Sequence, residues 1–171
     1  IGIFSVSTGY AGSDEVNLIA GALRFAAEKT GKLQLAVLGR NSEEAGRWLQ
    51  QALIGAEVEV IAYGLLGAEE ILSVLGSCHA MLFTRGQISS RRGSAIAGIA
   101  CGLPVIAPEG SETGAPVTEA GVVLLPAGAG NEFGPSLLRV LTDDAYREWL
   151  AERSRRAQER YFSWRAIAAE Y

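Results

Sequence analysis

A chain of 171 residues with 49% hydrophobic content can bury one well-packed core but is short for two, so we expect a single domain. Its formal net charge of -4 argues against nucleic acid as a partner, because a phosphate backbone selects a broad basic surface. The sequence has one histidine and two separated cysteines, Cys78 and Cys101, which do not match the common zinc-binding motifs. We therefore predict reduced thiols and no structural metal.

The chain begins inside a strand pattern. Ile1 opens an apolar run that ends at Ser7, and the methionine of the sequence, Met81, lies far from the start. We therefore expect a piece excised from a longer polypeptide. Because neither a charged-then-apolar leader nor an apolar run of about 18 residues occurs, we expect a soluble, cytoplasmic domain. A membrane surface would be reached only through the missing part.

The first strand is followed by the turn STGYAGSDE, in which Gly9 and Gly12 permit backbone conformations closed to other residues. Asp14 and Glu15 suit the first turn of the helix that comes next. Nucleotide-binding sheets use this order of strand, glycine turn and helix. Since the motif G-x-G-x-x-G is incomplete, a ligand-binding loop and an ordinary strand-to-helix connection are equally compatible with the turn.

Two more strand-and-helix units follow. We predict strands over residues 33–38 and 58–63, and helices over residues 42–54 and 69–76. Arg40 comes directly after the second strand. It is either a solvated surface residue or a ligand contact, because open parallel sheets gather their ligands at the carboxyl ends of strands.

Residues 79–109 predict one βαβ unit on which the fold is centred. A buried strand over residues 80–83 leads into a polar turn, a helix of small residues closed by Gly102, and a second buried strand over residues 104–107. Hydroxyl groups, two guanidinium groups and unpaired backbone amides meet where the helix begins, which favours phosphate binding. The residues of this turn are Ser89, Ser90, Arg91, Arg92, Gly93 and Ser94.

The last part of the chain predicts one strand and several helices. A glycine-rich loop over residues 108–120 has no predicted element, and it is equally compatible with a functional loop and a surface connection. A strand over residues 121–126 and helices from Glu132 onward follow. The run RSRR is interpreted first as a solvated helix face and second as a site for an anionic partner. The aromatic residues of the tail FSWRAIAAEY are expected to pack against some other surface.

Strands alternating with helices predict an α/β fold with a Rossmann-like, doubly wound parallel sheet of about six strands and C-terminal helices. With these motifs the chain resembles the carboxyl-terminal, donor-binding half of GT-B glycosyltransferases, particularly the retaining family called group 1. The most specific match is AIAGIACGLPVIA, residues 95–107, which is similar to the family's EAMACGLPVIA. The segments VNLIAGAL, GLLGAEEILSVLGSC, GVVLLPAG and FSWRAIAAEY follow the family's order.

The resemblance breaks at the donor site. The two glutamates of the usual pattern fall on Ser89 and Ala97, and an ungapped match puts Gly9 and Asp14 where the family has an arginine and a lysine. One explanation is a variant donor site, because SSRRGS resembles a Ser-x-Arg-Arg-Gly-Ser turn of some glycosyltransferases. The alternative is a non-catalytic interaction or scaffold domain that has lost donor chemistry. We favour the variant, since random loss gives no reason to gather arginines and serines at one helix start.

The resemblance implies that residues 1–171 form one nucleotide-sugar-binding domain of a two-domain hexosyltransferase of polysaccharide biosynthesis. Its partners would be a nucleotide-diphosphate sugar as donor substrate and an N-terminal acceptor-binding domain, with no cofactor, and the fragment alone should be inactive. Arg91 and Arg92 would be catalytic, Gly64 would border the base, and Glu112 and Thr113 would contact sugar hydroxyls. The implied donor-binding residues are Gly9, Tyr10, Arg40, Gly64, Ser89, Ser90, Gly93, Ser94, Glu112 and Thr113.

Overall fold

The computed structural model describes residues 1–7 and 12–168. Six strands form one sheet in the order β3-β2-β1-β4-β5-β6, and all five neighbouring pairs are parallel. The strands are β1 (Gly2–Phe4), β2 (Leu33–Leu38), β3 (Val58–Gly64), β4 (Met81–Leu82), β5 (Val105–Pro108) and β6 (Val122–Leu125). The predicted Rossmann-like, doubly wound α/β fold is confirmed.

Helices connect the strands and cover both faces of the sheet. They are α1 (Ser13–Thr30), α2 (Ser42–Ala52), α3 (Ala68–Gly76), α4 (Gly93–Ala100), α5 (Phe133–Thr142), α6 (Asp144–Ala157) and α7 (Trp164–Ala168). Gly102 follows α4 with φ +71°, as its predicted role at the helix end requires. Asp143 starts α6 by accepting a hydrogen bond from the Tyr146 amide at 2.9 Å.

Two apolar clusters pack against the sheet, one on each face. The first joins the sheet to α1, α2 and α5, and the second joins it to α3, α4 and the end of α6. Met81, Leu82, Val105 and Ile106 of the central strands all have 0% exposure. Full burial of one such side chain contributes about 1.5–3 kcal/mol, so these continuous apolar runs hold the two halves of the sheet together.

Helix α6 is tied to the sheet by a buried serine. The Ser154 hydroxyl donates to the Leu103 carbonyl at 2.8 Å and accepts from the Gly121 amide at 3.2 Å, joining α6 to the amino ends of β5 and β6. A Cβ at Gly121 would overlap the Leu150 carbonyl of α6, so only glycine allows this approach. The run RSRR, which contains Ser154, is therefore not simply a solvated face.

One prediction is wrong. The loop over residues 108–120 was expected to lack an element, but it contains a 3₁₀ helix at Val117–Glu119, where Val117 is fully buried in the second cluster. The aromatic residues of the tail FSWRAIAAEY were expected to pack against some surface. Phe162 packs against the second cluster, Trp164 is 87% exposed, and Tyr171 lies outside the described residues. Within the described ranges, each helix is too short or too polar to cross a bilayer.

Candidate functional site

The direction in which successive strands are added to the sheet reverses between β1 and β4. From β1 the chain proceeds to β2 and β3 on one side, and from β4 it proceeds to β5 and β6 on the other. The loops after these two strands therefore separate and leave a crevice at their carboxyl ends, where open α/β sheets bind ligands. Of the loop after β1, the predicted site residues Gly9 and Tyr10 lie outside the described residues.

The loop after β4 ends in a turn at the start of α4, which we call the β4–α4 turn (residues 89–94). The Arg92 amide donates to the Ser89 carbonyl at 3.0 Å, and the Ile96 amide donates to the Arg92 carbonyl at 3.0 Å. Arg92 is the N-cap residue, and its side chain makes no capping hydrogen bond. Within residues 1–7 and 12–168, no side chain accepts a hydrogen bond from the amides of the first helical turn, which include those of Gly93 and Ser94.

Ser89 carries the one buried side-chain hydroxyl that has no hydrogen-bond partner in the described part of the chain. The residue is only 3% exposed, and its Oγ has no hydrogen-bond partner there. Burying an unpaired hydroxyl costs about 1–3 kcal/mol, so a ligand atom that bonds to Ser89 would recover that cost. A serine hydroxyl can donate a hydrogen bond to an anion.

Three arginines lie on the same loop. Arg91 and Arg92 are exposed, and the Arg92 Nη2 lies over Gly86, 3.9 Å from where a Cβ would stand. Arg85, which sequence reasoning missed, lies three residues after the end of β4 and is also exposed. None of the three belongs to an ion pair among the described residues. Arg85 could have been found by the same rule that selected Arg40, since both follow a buried strand.

Hydrogen bonds join the loop after β5 to the loop after β4. The Glu112 amide donates to Gln87 Oε1 at 3.2 Å, and the Thr113 hydroxyl donates to the Ile88 carbonyl at 2.7 Å. Thr113 Oγ1 also accepts from the Gly110 amide at 3.0 Å. The Thr113 hydroxyl is thus engaged on both sides and holds the loop in place, while the Glu112 side chain is exposed beside it. Gln87 was missed because an isolated glutamine in a turn gives no pattern.

Glu15 joins the two loops across the crevice. One carboxylate oxygen accepts from the Ser7 amide at 2.9 Å, and the other accepts from the Thr84 hydroxyl. Glu15 stands in the first turn of α1, so its negative charge also complements the positive end of that helix. The start of α1 therefore already holds an anion of its own. The sequence analysis assigned Glu15 to the helix start but did not foresee the bond to Thr84.

Arg40 and Gly64 lie at the same edge, on the β2 and β3 side of the crevice. The Gly64 amide donates to Ser42 Oγ at 2.8 Å, and the Gly64 carbonyl accepts from the Gly39 amide at 3.0 Å. Gly64 also has φ +71°, which glycine adopts without strain. Its backbone thus fixes the turn that presents Arg40. The Arg40 side chain is exposed.

No cluster of three or more histidine, cysteine, aspartate or glutamate side chains in residues 1–7 and 12–168 is arranged to hold a metal ion. Cys78 and Cys101 are free and half-buried. Burial raises the pKa of both thiols, so neither resembles an activated nucleophile.

No protein-family model and no curated protein matches the sequence. Several solved structures do match the fold. The C-terminal domain of a glycosyl transferase group 1 family protein (LpcC) from Francisella tularensis has a TM-score of 0.70 over 95% of this chain and 86% of that domain, at 14% identity. A variant of TarM from S. aureus, in complex with fondaparinux, α-GlcNAc-glycerol and UDP, has a TM-score of 0.70 at 12% identity.

Anabaena Alr3699/HepE, in complex with UDP and glucose, has a TM-score of 0.67 over 94% of this chain at 17% identity. The present chain spans 34% of TarM and 43% of HepE, so it corresponds to less than half of those proteins. At these identities the likeness shows the fold. The predicted resemblance to a carboxyl-terminal GT-B glycosyltransferase domain is confirmed as a shared fold.

Proposed function

We propose that this chain is the nucleotide-sugar-binding domain of a retaining glycosyltransferase and binds the donor's diphosphate at the β4–α4 turn. In the longer protein it would transfer a hexosyl group to a glycan or another acceptor held by an N-terminal domain. The observation that carries the proposal is the chemistry of this turn: among the described residues, no side chain caps the helix start, the buried Ser89 hydroxyl has no partner, and the arginines have no ion-pair partner. The shared fold with proteins solved with UDP supports it.

The demanding step of the reaction is departure of the diphosphate. Negative charge grows on its leaving oxygen as the glycosidic bond breaks, and donors already aimed at that oxygen stabilise the transition state more than the ground state. Arg91 or Arg92 would supply two parallel hydrogen bonds, with the amides of Gly93 and Ser94 beside them. Losing one such donor would cost about 3 kcal/mol, or about a hundredfold in rate.

Other residues hold this arrangement together. Glu15 fixes the distance between the loop after β1, which carries Gly9 and Tyr10, and the loop after β4. Thr113 fixes the loop that presents Glu112, whose carboxylate would accept a hydroxyl of the donor sugar. Preorganisation of this kind matters because a binding group that must first be ordered loses part of its contribution.

Calorimetry with UDP, ADP and GDP tests the proposal. We expect Arg91→Ala or Arg92→Ala to weaken binding of the best nucleotide about tenfold, as loss of one charge-assisted hydrogen bond predicts. Arg165→Ala is the matched control, since Arg165 is an exposed arginine of α7. Unchanged affinity in both turn variants would remove the proposed site. Failure of every nucleotide to bind would favour the scaffold alternative.

The isolated chain should bind a nucleotide without transferring sugar. Transfer depends on holding donor and acceptor together with water excluded, which half of a two-domain cleft cannot do. Incubating the chain with radiolabelled UDP-glucose and a mixture of glycan acceptors should give no product above a heat-denatured control. Product formation would contradict the two-domain interpretation.

A further inference from the structure

A second cationic groove lies at the opposite end of the sheet from the β4–α4 turn. It measures about 390 Å³ and is formed by α6, the segment after it and the 3₁₀ helix before β6. We call it the α6 groove. The lining residues that matter are Glu119, Trp149, Arg153, Arg156, Arg160 and Tyr161. Their neighbour Ser154 bonds the residues that precede β5 and β6, which places the groove near the amino ends of these strands.

Arg153 is a fixed cation without a carboxylate partner among the described residues. Its Nε donates to the Ala120 carbonyl at 3.2 Å, its Nη2 donates to the Thr118 carbonyl at 2.7 Å, and its guanidinium lies 4.9 Å from the centre of the Trp149 ring. These contacts hold the group in one position but leave its charge unneutralised. An anion entering the groove would therefore meet a preorganised positive wall.

Two exposed guanidinium groups complete the cationic side of the groove. The Arg156 side chain is 74% exposed, and among the described residues its one bonded atom is Nε, which donates to Glu152 at 2.8 Å. The Arg160 side chain is 73% exposed, and its Nη1 lies 3.6 Å from Glu119, which is longer than a good charge-assisted hydrogen bond. Both guanidinium groups thus retain donors for a ligand.

Glu119 supplies the carboxylate in the lining of the α6 groove, and its charge restricts the class of ligand that the groove can bind. Glu119 Oε2 accepts from the Tyr161 hydroxyl, a bond that raises the pKa of Tyr161 and keeps the phenol protonated. The other oxygen, Oε1, has no partner in the described part of the chain. A bare anion is repelled by this group and gains nothing from it. A ligand that carries hydroxyl groups together with an acidic group gains from Glu119 as well as from the arginines.

We propose that the α6 groove binds an acidic saccharide, meaning a sugar that bears a phosphate, sulfate or carboxylate group. Arg156 and Arg160 hold the acidic group, and Glu119 accepts a hydroxyl of the sugar ring. Arg153 and Trp149 form the rigid wall. This site is separate from the proposed donor site and does not depend on it.

The experiment follows the indole N–H resonance of Trp149 in the ¹⁵N-labelled chain, assigned with Trp149→Phe. No nucleotide is added, because UDP itself carries a phosphorylated sugar and because the Trp149 resonance reports the α6 groove directly. The probes are glucose 1-phosphate and digalacturonate, which separate a free sugar phosphate from an acidic glycan as the source of the chemistry. Glucose and inorganic phosphate are the two partial probes. We expect at least one acidic saccharide to shift the resonance with an affinity about tenfold above that of either partial probe.

Variants then assign the roles. Arg156→Gln and Arg160→Gln should each weaken binding about tenfold, whereas Arg155→Gln should leave it unchanged. Arg155 is the matched control because it lies in the same run but pairs with Glu148 and Glu152 outside the groove. Glu119→Ala should weaken the saccharide and strengthen inorganic phosphate, so that their affinities converge.

Three outcomes would overturn the proposal. Equal binding of inorganic phosphate and glucose 1-phosphate would show a simple anion site. Tighter binding of a tetraglutamate peptide than of either saccharide would show a site for an acidic protein segment. No shift of the Trp149 resonance with any probe would show that the groove is not a binding site. A failure of UDP to bind would not affect this readout, so the two proposals stand or fall separately.

Discussion

Helices α1 and α4 begin on opposite sides of the same crevice, yet their starts have opposite chemistry. Helix α1 brings its own anion, because Glu15 accepts hydrogen bonds from the Ser7 amide and the Thr84 hydroxyl. Helix α4 has no acidic residue in its first turn, and in the part of the chain that the structure describes it has no capping side chain and the neighbouring buried Ser89 hydroxyl has no partner. A helix start that supplies its own carboxylate is part of the framework, and one that does not is open to a ligand.

The first test of the difference between the two helix starts adds a methyl group at each of them. At Gly12 a new Cβ would overlap the Ser7 carbonyl, with its carbon only 2.7 Å away, whereas at Gly93 nothing lies within 4 Å. We expect Gly12→Ala to lower the free energy of unfolding by about 1–3 kcal/mol. Gly93→Ala should leave it unchanged or raise it by up to about 1 kcal/mol, since alanine favours helix. Urea denaturation of both variants checks this, and equal losses would contradict it.

The second test removes the Glu15 carboxylate at the start of α1. Glu15→Ala leaves two partly buried donors without their acceptor, and we expect it to destabilise the fold by about 1–2 kcal/mol. It should also weaken UDP binding, because the two loops are no longer held at one distance. The measurements are thermal unfolding and calorimetry.

Glu15→Gln is the informative companion. Its amide oxygen still accepts one hydrogen bond, so the loss of stability should be smaller, and removal of a negative charge beside the crevice should keep UDP affinity at or above that of the unchanged protein. If Glu15→Gln weakens UDP binding as much as Glu15→Ala does, the carboxylate contacts the ligand and is not a framework group.

The third and smallest effect concerns Ser89. Because its hydroxyl is buried without a partner, Ser89→Ala should change the free energy of unfolding by less than about 1 kcal/mol, and in the stabilising direction. UDP affinity should nevertheless fall about three- to tenfold, the value of one hydrogen bond. Ser73→Ala, at an exposed serine of α3, is the control and should leave UDP affinity unchanged. A clear loss of stability in Ser89→Ala would identify the hydroxyl as structural.

The fold was readable from the sequence because apolar runs and turn residues act locally. The runs that became β2, β4 and β5 are nearly continuous, and Gly102 ends α4 where predicted. What failed was packing between distant segments. Trp164 was expected to pack against some surface but is exposed in this domain, and no local pattern tells where a tail aromatic will pack. The 3₁₀ helix in the loop after β5 forms because Val117 is buried, which is a tertiary effect.

The candidate site was readable only in part, for the same reason. The β4–α4 turn stood out because hydroxyl and guanidinium groups are consecutive in the sequence. Glu15 and Thr84 are 69 residues apart, and only the fold brings them together. Thr113 was predicted as a sugar contact, a role that stays a prediction, but its hydroxyl bonds the Ile88 carbonyl 25 residues away. Contacts that close over such separations depend on strand order, which one sequence does not spell out.

The hydrogen bonds of Ser154 can form only late in the synthesis of the chain. Its hydroxyl completes the hydrogen bonding of Leu103 and Gly121, which lie 51 and 33 residues earlier in the chain. A ribosome adds about 5–20 residues per second, so the second half of the sheet emerges while the residue that fastens it is still unmade. Until α6 docks, the Leu103 carbonyl and the Gly121 amide have water in place of the Ser154 hydroxyl. Docking of α6 therefore displaces water from both groups after β5 and β6 have been synthesised.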